Sequence, residues 1–119
     1  MAHRLQEADE WVVDKVASWV ETYKKSMLTP LILAIVAQTQ PTTVAEIATE
    51  VARRTDWQLT ERGLYRTLRR LQDTGLLSVA EVPAARTGAL RKEFTLTDLG
   101  EQFRSGVTAA LLSDASLGR

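Results

Sequence analysis

The apolar period of the sequence changes at Gly75, from about 3.6 residues before it to about 2 residues after it. Up to that glycine, apolar side chains recur at helical spacing. After it, Leu77 and Val79 alternate with polar residues, and Phe94 and Leu96 do so again beyond a turn-rich segment. The sequence therefore predicts several helices followed by a β-hairpin with a flexible, basic tip. We expect a mainly helical α+β fold.

Two helices are predicted before the middle of the chain and one after the hairpin. No Gly or Pro interrupts residues 4–25, where large apolar side chains form a helical stripe. Thr29 followed by Pro30 is typical of an N-cap with proline in the first helical position, so a second helix is expected there. Its almost wholly apolar residues 31–37 belong to the core. The last helix is predicted over residues 99–112.

A helix-turn-helix is predicted between these elements. Thr43 and Glu46 have the spacing of a capping box at the start of a helix that ends near Arg54. After a short turn, Thr60 is a suitable N-cap for a helix over residues 61–74.

Composition excludes several classes of function. A chain of 119 residues, 45% hydrophobic and 25% charged, fits one globular unit with a single core. It has no cysteine and one histidine, His3, so neither a thiolate metal site nor a histidine-based catalytic site is expected. We predict no enzyme activity and no cofactor. Without a signal peptide or a long apolar run, the expected compartment is the cytoplasm.

The net charge of zero conceals a basic middle segment. Residues 1–52 carry four Lys/Arg against seven Asp/Glu, residues 53–92 carry nine against four, and residues 93–119 carry two against four. A basic segment between acidic flanks indicates a localised anion-binding face. The acidic residues near the N-terminus are typical of the solvated face of an amphipathic helix.

The predicted helix over residues 61–74 has two opposed faces. At 100° per residue, Leu64, Leu68 and Leu71 fall on one side. The opposite side carries three arginines with a tyrosine and a fourth arginine on its flanks, namely Arg62, Arg66, Arg69, Tyr65 and Arg70. Guanidinium groups can bind guanine O6 and N7 or clamp a phosphate, and the Thr60 hydroxyl at the helix N-terminus can hold another phosphate. A merely solvated basic face has the same pattern.

The predicted hairpin adds Arg86, Arg91 and Lys92 to the basic surface. Three helices, the third basic, followed by a cationic hairpin are the elements of a winged helix-turn-helix. In that fold the third helix enters the major groove and the hairpin contacts the neighbouring phosphates. The order of elements therefore favours binding of double-stranded DNA.

Three stretches resemble the PadR-like winged-helix transcriptional regulators. They are Thr29 to Ile35, Leu59 to Leu71 running on to Gly75-Leu76-Leu77, and Arg91 to Gly100. The resemblance implies a dimeric repressor on a palindromic operator, with Tyr65 on phosphate and residues 60–66 at the groove. Family members continue into a long dimerisation helix, whereas about 15 residues of helical character remain here after the hairpin.

The N-terminal helix is therefore expected to supply much of the dimer interface. The predicted interface residues are Leu5, Trp11, Val12, Val16, Trp19, Val20 and Tyr23, joined by Phe103, Val107, Leu111 and Leu112. Trp11 and Trp19 could in addition stack on a small planar aromatic effector, although packing alone also explains interface tryptophans. Trp57 is expected to fix the turn before the third helix to the body.

These predictions divide the chain into an N-terminal dimerisation helix over residues 1–26, a DNA-binding unit over residues 27–97 and a C-terminal helix and tail over residues 98–119. The predicted function is that of a sequence-specific transcriptional regulator. Two alternatives stay open at this point. The winged helix could serve as a protein-interaction module, or it could bind DNA without sequence preference.

Overall fold

The computed structural model describes the backbone of residues 2–113 and the side chains of residues 6–111. In chain order the elements are α1 (Ala2–Thr39), α2 (Val44–Arg54), α3 (Glu61–Asp73), β1 (Leu77–Pro83), β2 (Leu90–Leu96) and α4 (Asp98–Ser113). This is the predicted α+β fold, in which a helix-turn-helix is followed by a hairpin and a last helix. None of the described helices is both long and apolar enough to span a lipid bilayer.

The two helices predicted before the helix-turn-helix are one continuous helix, α1, so the predicted N-cap at Thr29 is wrong. Pro30 lies inside α1. A proline within a helix removes the N–H that would bond to the carbonyl four residues earlier, here that of Ser26. Because Ser26 is exposed, its carbonyl can bond to water instead. Beyond Pro30, the burial of residues 31–36 in the core stabilises the helix.

Both predicted caps of the helix-turn-helix are confirmed. The Thr43 hydroxyl accepts a hydrogen bond from the Glu46 N–H at 3.3 Å and donates one to the Glu46 carboxylate at 3.2 Å. The Thr60 hydroxyl accepts from the Gly63 N–H at 3.0 Å. These bonds satisfy N–H groups that have no partner inside a helix, and they set where α2 and α3 begin.

The core lies between the second half of α1, α2, α3 and one face of the hairpin. Its buried members are Ile32, Leu33, Ile35, Val36, Ile47, Val51, Leu64, Leu68, Leu71, Leu77 and Phe94. The leucine side of α3 is thus fixed against the body, and its arginine side faces outward.

The hairpin is held to the body by an isolated β-bridge that the sequence did not predict. Within the hairpin, β1 and β2 pair antiparallel with Leu77 opposite Leu96. Thr42, in the connection between α1 and α2, pairs with Phe94 through two backbone hydrogen bonds of 3.1 and 2.7 Å. Thr42 is fully buried. The hairpin therefore has a fixed position relative to the helices.

The first half of α1 extends away from the core, and the molecule is 68 Å along its longest axis. Large apolar side chains in this half are exposed, with Trp11 at 62% and Trp19 at 69%. In α4, Phe103 and Leu111 are also exposed. An apolar surface of this extent on a single chain indicates a surface for association.

Candidate nucleic-acid interface

The predicted arrangement of α3 is confirmed. Leu64, Leu68 and Leu71 are buried, each at 2% exposure or less. The side chains of the opposite face are exposed, namely those of Arg62, Tyr65, Arg66, Arg69 and Arg70. Because α3 is fixed on the core through its leucines, its cationic side chains are presented on a rigid element.

Lys92 of β2 lies beside the arginines of α3. Side chains alternate between the two faces of a strand, so Lys92 shares the face of Phe94, which packs on the core. Together the helix and the strand line a surface depression with a volume of about 430 Å³. We call this surface the arginine groove, and its residues are Arg62, Tyr65, Arg66, Leu68, Arg69, Gln72, Lys92 and Phe94.

The arginine groove carries unneutralised positive charge. Within residues 6–111, no carboxylate lies within 4.0 Å of the charged groups of Arg62, Arg66 or Lys92. Arg69 contacts Asp73 at 3.4 Å, but both side chains are largely exposed, and such a pair is worth little in water. The groove can therefore exchange its solvent and counterions for an anionic ligand.

The start of α3 adds backbone donors to the cationic side chains. Thr60 is exposed, and its hydroxyl oxygen already accepts from Gly63, so its hydroxyl proton is available to donate. The N–H groups of Glu61 and Arg62 occupy the first turn, where a helix offers no acceptor for them. A helix N-terminus of this kind favours a phosphate oxygen.

Arg86 and Arg91, the other two basic residues predicted on the hairpin, do not line the arginine groove. Arg91 lies on the opposite face of β2 from Lys92, and its guanidinium contacts the Glu93 carboxylate at 3.0 Å. Arg86 is exposed in the turn of the hairpin, two residues before Gly88, whose φ of +71° suits glycine.

Arg70 also points away from the groove. Its guanidinium Nη2 donates to the Thr29 hydroxyl of α1 at 2.8 Å. It borders a different depression, whose other walls come from α1 and α4. Gln72 also lines the groove and was not predicted. A projection at 100° per residue puts Gln72 about 20° from Tyr65, so the period alone could have found it.

Most of the predicted association residues are exposed. On α1 these are Trp11, Val12, Val16, Trp19, Val20 and Tyr23. On α4, Phe103 and Leu111 are exposed and Val107 is half-buried. The side chains of Leu5 and Leu112 lie outside the described residues. Val13, at 65% exposure, belongs to the same stripe and was not predicted.

The two tryptophans of the predicted effector site have different neighbours. Trp19 stacks on Tyr23 with ring centroids 6.2 Å apart and planes 15° apart. Trp11 instead lies under the ammonium group of Lys15, which is 5.7 Å from its ring centroid. Tyr23 also meets Trp57 edge-on at 6.5 Å. The aromatic cluster is therefore Trp19, Tyr23 and Trp57, without Trp11.

Away from the groove, a carboxylate on α2 is strongly stabilised as an anion. Hydrogen bonds from the Arg53 and Arg54 guanidinium groups lower the pKa of Glu50 from 4.5 to about 2. The same Arg54 donates to the side-chain carbonyl of Gln38 at 2.6 Å, which links α2 to the end of α1. Arg53 and Arg54, two of the nine basic residues of the middle segment, thus contact residues of α1 and α2 and do not line the groove.

The sequence of residues 32–105, more than half of the chain, matches the model of the transcriptional regulator PadR-like family. No curated protein matches the chain. Solved structures with a similar fold include a PadR family transcriptional regulator from Eggerthella lenta (24% identity, TM-score 0.72, covering 90% of this chain and 93% of that one). A PadR-like transcription factor from Bacteroides fragilis is also similar (26% identity, TM-score 0.67, covering 81% and 90%).

A PadR family transcription regulator from Clostridium difficile has the same fold (23% identity, TM-score 0.69, covering 76% of this chain and 93% of that one). The family match spans the last eight residues of α1, the helix-turn-helix, the hairpin and the first half of α4. These are the elements that build the core and the arginine groove. The chain belongs to the PadR-like family of transcriptional regulators.

Proposed function

We propose that this chain is a dimeric, sequence-specific repressor that binds double-stranded DNA at a palindromic operator. The observation that supports it best is the arginine groove, where Arg62, Arg66 and Lys92 lie together, exposed and without carboxylate partners in the described residues. A helix that is fixed by one face and cationic on the other has the form needed to enter the major groove.

The proposed contacts divide into base reading and phosphate binding. Arg62 and Arg66, in the first turns of α3, can each present a planar fork to guanine O6 and N7. Lys92 lies at the rim on β2, where an ammonium group can neutralise a backbone phosphate without reading sequence. The Thr60 hydroxyl and the Tyr65 hydroxyl are proposed to bind backbone phosphates.

Dimerisation is proposed through the exposed apolar residues of α1 and α4. A soluble monomer rarely exposes a contiguous apolar surface that includes two tryptophans above 60% exposure. A two-fold axis through this surface would relate two arginine grooves. Half-sites on one face of B-DNA lie one helical turn apart. The two copies of α3, the proposed recognition helices, must therefore lie about 34 Å apart.

Fluorescence anisotropy with the DNA upstream of the protein's own gene would test this function. We expect binding to an inverted repeat that weakens steeply between two salt concentrations, because each neutralised phosphate releases counterions. Repression is tested separately by placing that repeat before a reporter gene. Absence of binding at low salt would favour a protein-interaction module. Equal binding to unrelated sequences would reduce the protein to a general DNA binder.

Response to a planar aromatic effector is a second property that one observation favours. The parallel rings of Trp19 and Tyr23 are exposed at 69% and 46% in the single chain, so a flat ligand bound at the proposed subunit interface could extend the stack. Titration with a panel of planar aromatic compounds should quench tryptophan fluorescence and release the operator. Quenching that leaves DNA affinity unchanged would argue against a regulatory role.

A further inference from the structure

Helix α3, the proposed recognition helix, contacts α1 through its last turn, and so does the loop that precedes it. At its last turn, the Arg70 guanidinium donates to the Thr29 hydroxyl at 2.8 Å. In the loop that leads into its first turn, Trp57 meets the Tyr23 ring edge-on, with centroids 6.5 Å apart. Trp57 is half-buried, and its neighbours come from α1, α2 and α4.

The two contacts on α1 lie close together and next to the exposed apolar face. Tyr23 and Thr29 are six residues apart, about 9 Å along a helix axis. Tyr23 also stacks on Trp19, which belongs to the surface proposed for dimerisation. The helix that would meet the partner subunit therefore also contacts the last turn of α3 and the loop before it.

We propose that Arg70 and Trp57 are positioning residues, which set the orientation of the recognition helix relative to α1 and do not contact DNA. This proposal rests on the proposed function. Arg70 lies about 80° around α3 from Arg62, on the side of α1 and α4 and outside the arginine groove. In a dimer, the orientation of α3 on α1 determines the separation of the two recognition helices and so the half-site spacing that fits.

The proposal is tested with Thr29→Val, which removes the acceptor of Arg70, and Thr29→Ser, which keeps it. The DNA is the inverted repeat and, separately, a duplex containing one half-site. We expect Thr29→Val to weaken binding to the inverted repeat by about three- to tenfold, the range of one net hydrogen bond. Binding to the half-site should not change, because one subunit needs no fixed spacing. Thr29→Ser should behave as the unchanged protein.

Arg70→Gln and the double variant with Thr29→Val complete a double-mutant cycle. We expect the two effects to be non-additive, since both substitutions remove the same hydrogen bond. The salt dependence of binding should keep its slope in Arg70→Gln. A slope that falls by about 0.9, with weaker half-site binding, would show that Arg70 neutralises a phosphate, and would overturn the proposal.

A parallel pair at the other contact is Trp57→Phe, which keeps a ring against Tyr23, and Trp57→Leu, which does not. Only Trp57→Leu should lower the preference for the inverted repeat over the half-site, and equal preference in both would remove Trp57 from the proposed role. Thermal unfolding of all variants separates lost positioning from lost folding. If the unchanged protein binds no DNA, the proposed function fails and positioning with it. If the unchanged protein binds DNA but Thr29→Val keeps the preference for the inverted repeat over the half-site, only the positioning role is contradicted.

Discussion

Gly100 of α4 lies directly against the carbonyl oxygen of Leu76, where the chain enters β1. A Cβ at position 100 would overlap that oxygen and would lie 2.8 Å from the Leu96 side chain. The Thr97 hydroxyl caps α4 by accepting from the Gly100 N–H at 2.9 Å, and it donates to the Gly75 carbonyl at 2.6 Å. The start of α4 is therefore fixed against both ends of the hairpin.

We expect Gly100→Ala to destabilise the protein even though alanine is the better helix former. Glycine costs a helix about 1 kcal/mol relative to alanine, but forcing a methyl group into a filled site typically costs about 1–3 kcal/mol. Because the opposing atoms include backbone, we expect the upper end of that range. Urea unfolding at a fixed protein concentration measures the difference.

Gly106 provides the matched control, because a Cβ there would meet no atom within 4 Å apart from its chain neighbours and the backbone of its own helix. Gly106→Ala should stabilise α4 by up to about 1 kcal/mol. If Gly100→Ala raised stability as much as Gly106→Ala, the close contact with Leu76 would be wrong.

Arg62→Ala and Arg66→Ala should each weaken specific DNA binding by about 1–3 kcal/mol, the usual worth of a bidentate base contact. Binding to unrelated DNA should weaken less, because that binding depends on charge alone. Anisotropy titrations of both DNAs at one salt concentration give the two numbers. Equal losses on both DNAs would place these arginines on phosphates.

Lys92→Ala and Arg91→Ala form a matched pair, since they remove neighbouring cations from opposite faces of β2. Lys92 lines the arginine groove, whereas Arg91 contacts Glu93 at 3.0 Å. We expect Lys92→Ala to weaken binding to all sequences alike and to reduce the salt-dependence slope by about 0.9. Arg91→Ala should change the slope less. If Arg91→Ala reduced the slope more than Lys92→Ala, the hairpin would contact the duplex with its other face.

The two faces of α3 could be predicted from the sequence because they depend on helix geometry alone. Leu64 and Leu68 recur at the helical period, as do Arg62 and Arg66, and no distant part of the chain is needed to place them. The caps at Thr43 and Thr60 are equally local. For the same reason, the alternation of β2 could have separated Arg91 from Lys92 before the structure was known.

What could not be predicted depends on partners far away in sequence. Nothing near Thr42 indicates that it pairs with Phe94, and nothing near Arg70 indicates that it donates to a residue 41 positions earlier. The N-cap predicted at Thr29 failed for a related reason. The local pattern of Thr-Pro is a helix start, but the packing of the following residues continues the helix through Pro30.

Glu50→Gln should lower the stability of the protein at neutral pH, and the difference should disappear in acid. The pKa of Glu50 is about 2 in the folded protein, below its ordinary value of 4.5. A depressed folded pKa adds stability that is present above about pH 4.5 and is lost as the pH falls toward 2. Urea unfolding of both proteins between pH 7 and pH 3 tests this. A difference that stays constant over that interval would contradict the pairing with Arg53 and Arg54.

Val16→Glu should convert the protein into a monomer and abolish cooperative binding to an inverted repeat. Val16 lies in the exposed apolar stripe of α1 at 56% exposure, and a carboxylate buried there without a partner would cost several kcal/mol in a dimer. Glu21→Lys is the control, because at 100° per residue Glu21 lies about 140° around the helix from Val16 and about 180° from Val12. Both positions are exposed in the single chain, so neither substitution should unfold it. Light scattering coupled to size exclusion should give a dimer for Glu21→Lys and a monomer for Val16→Glu. A dimer in both variants would move the subunit contact away from α1.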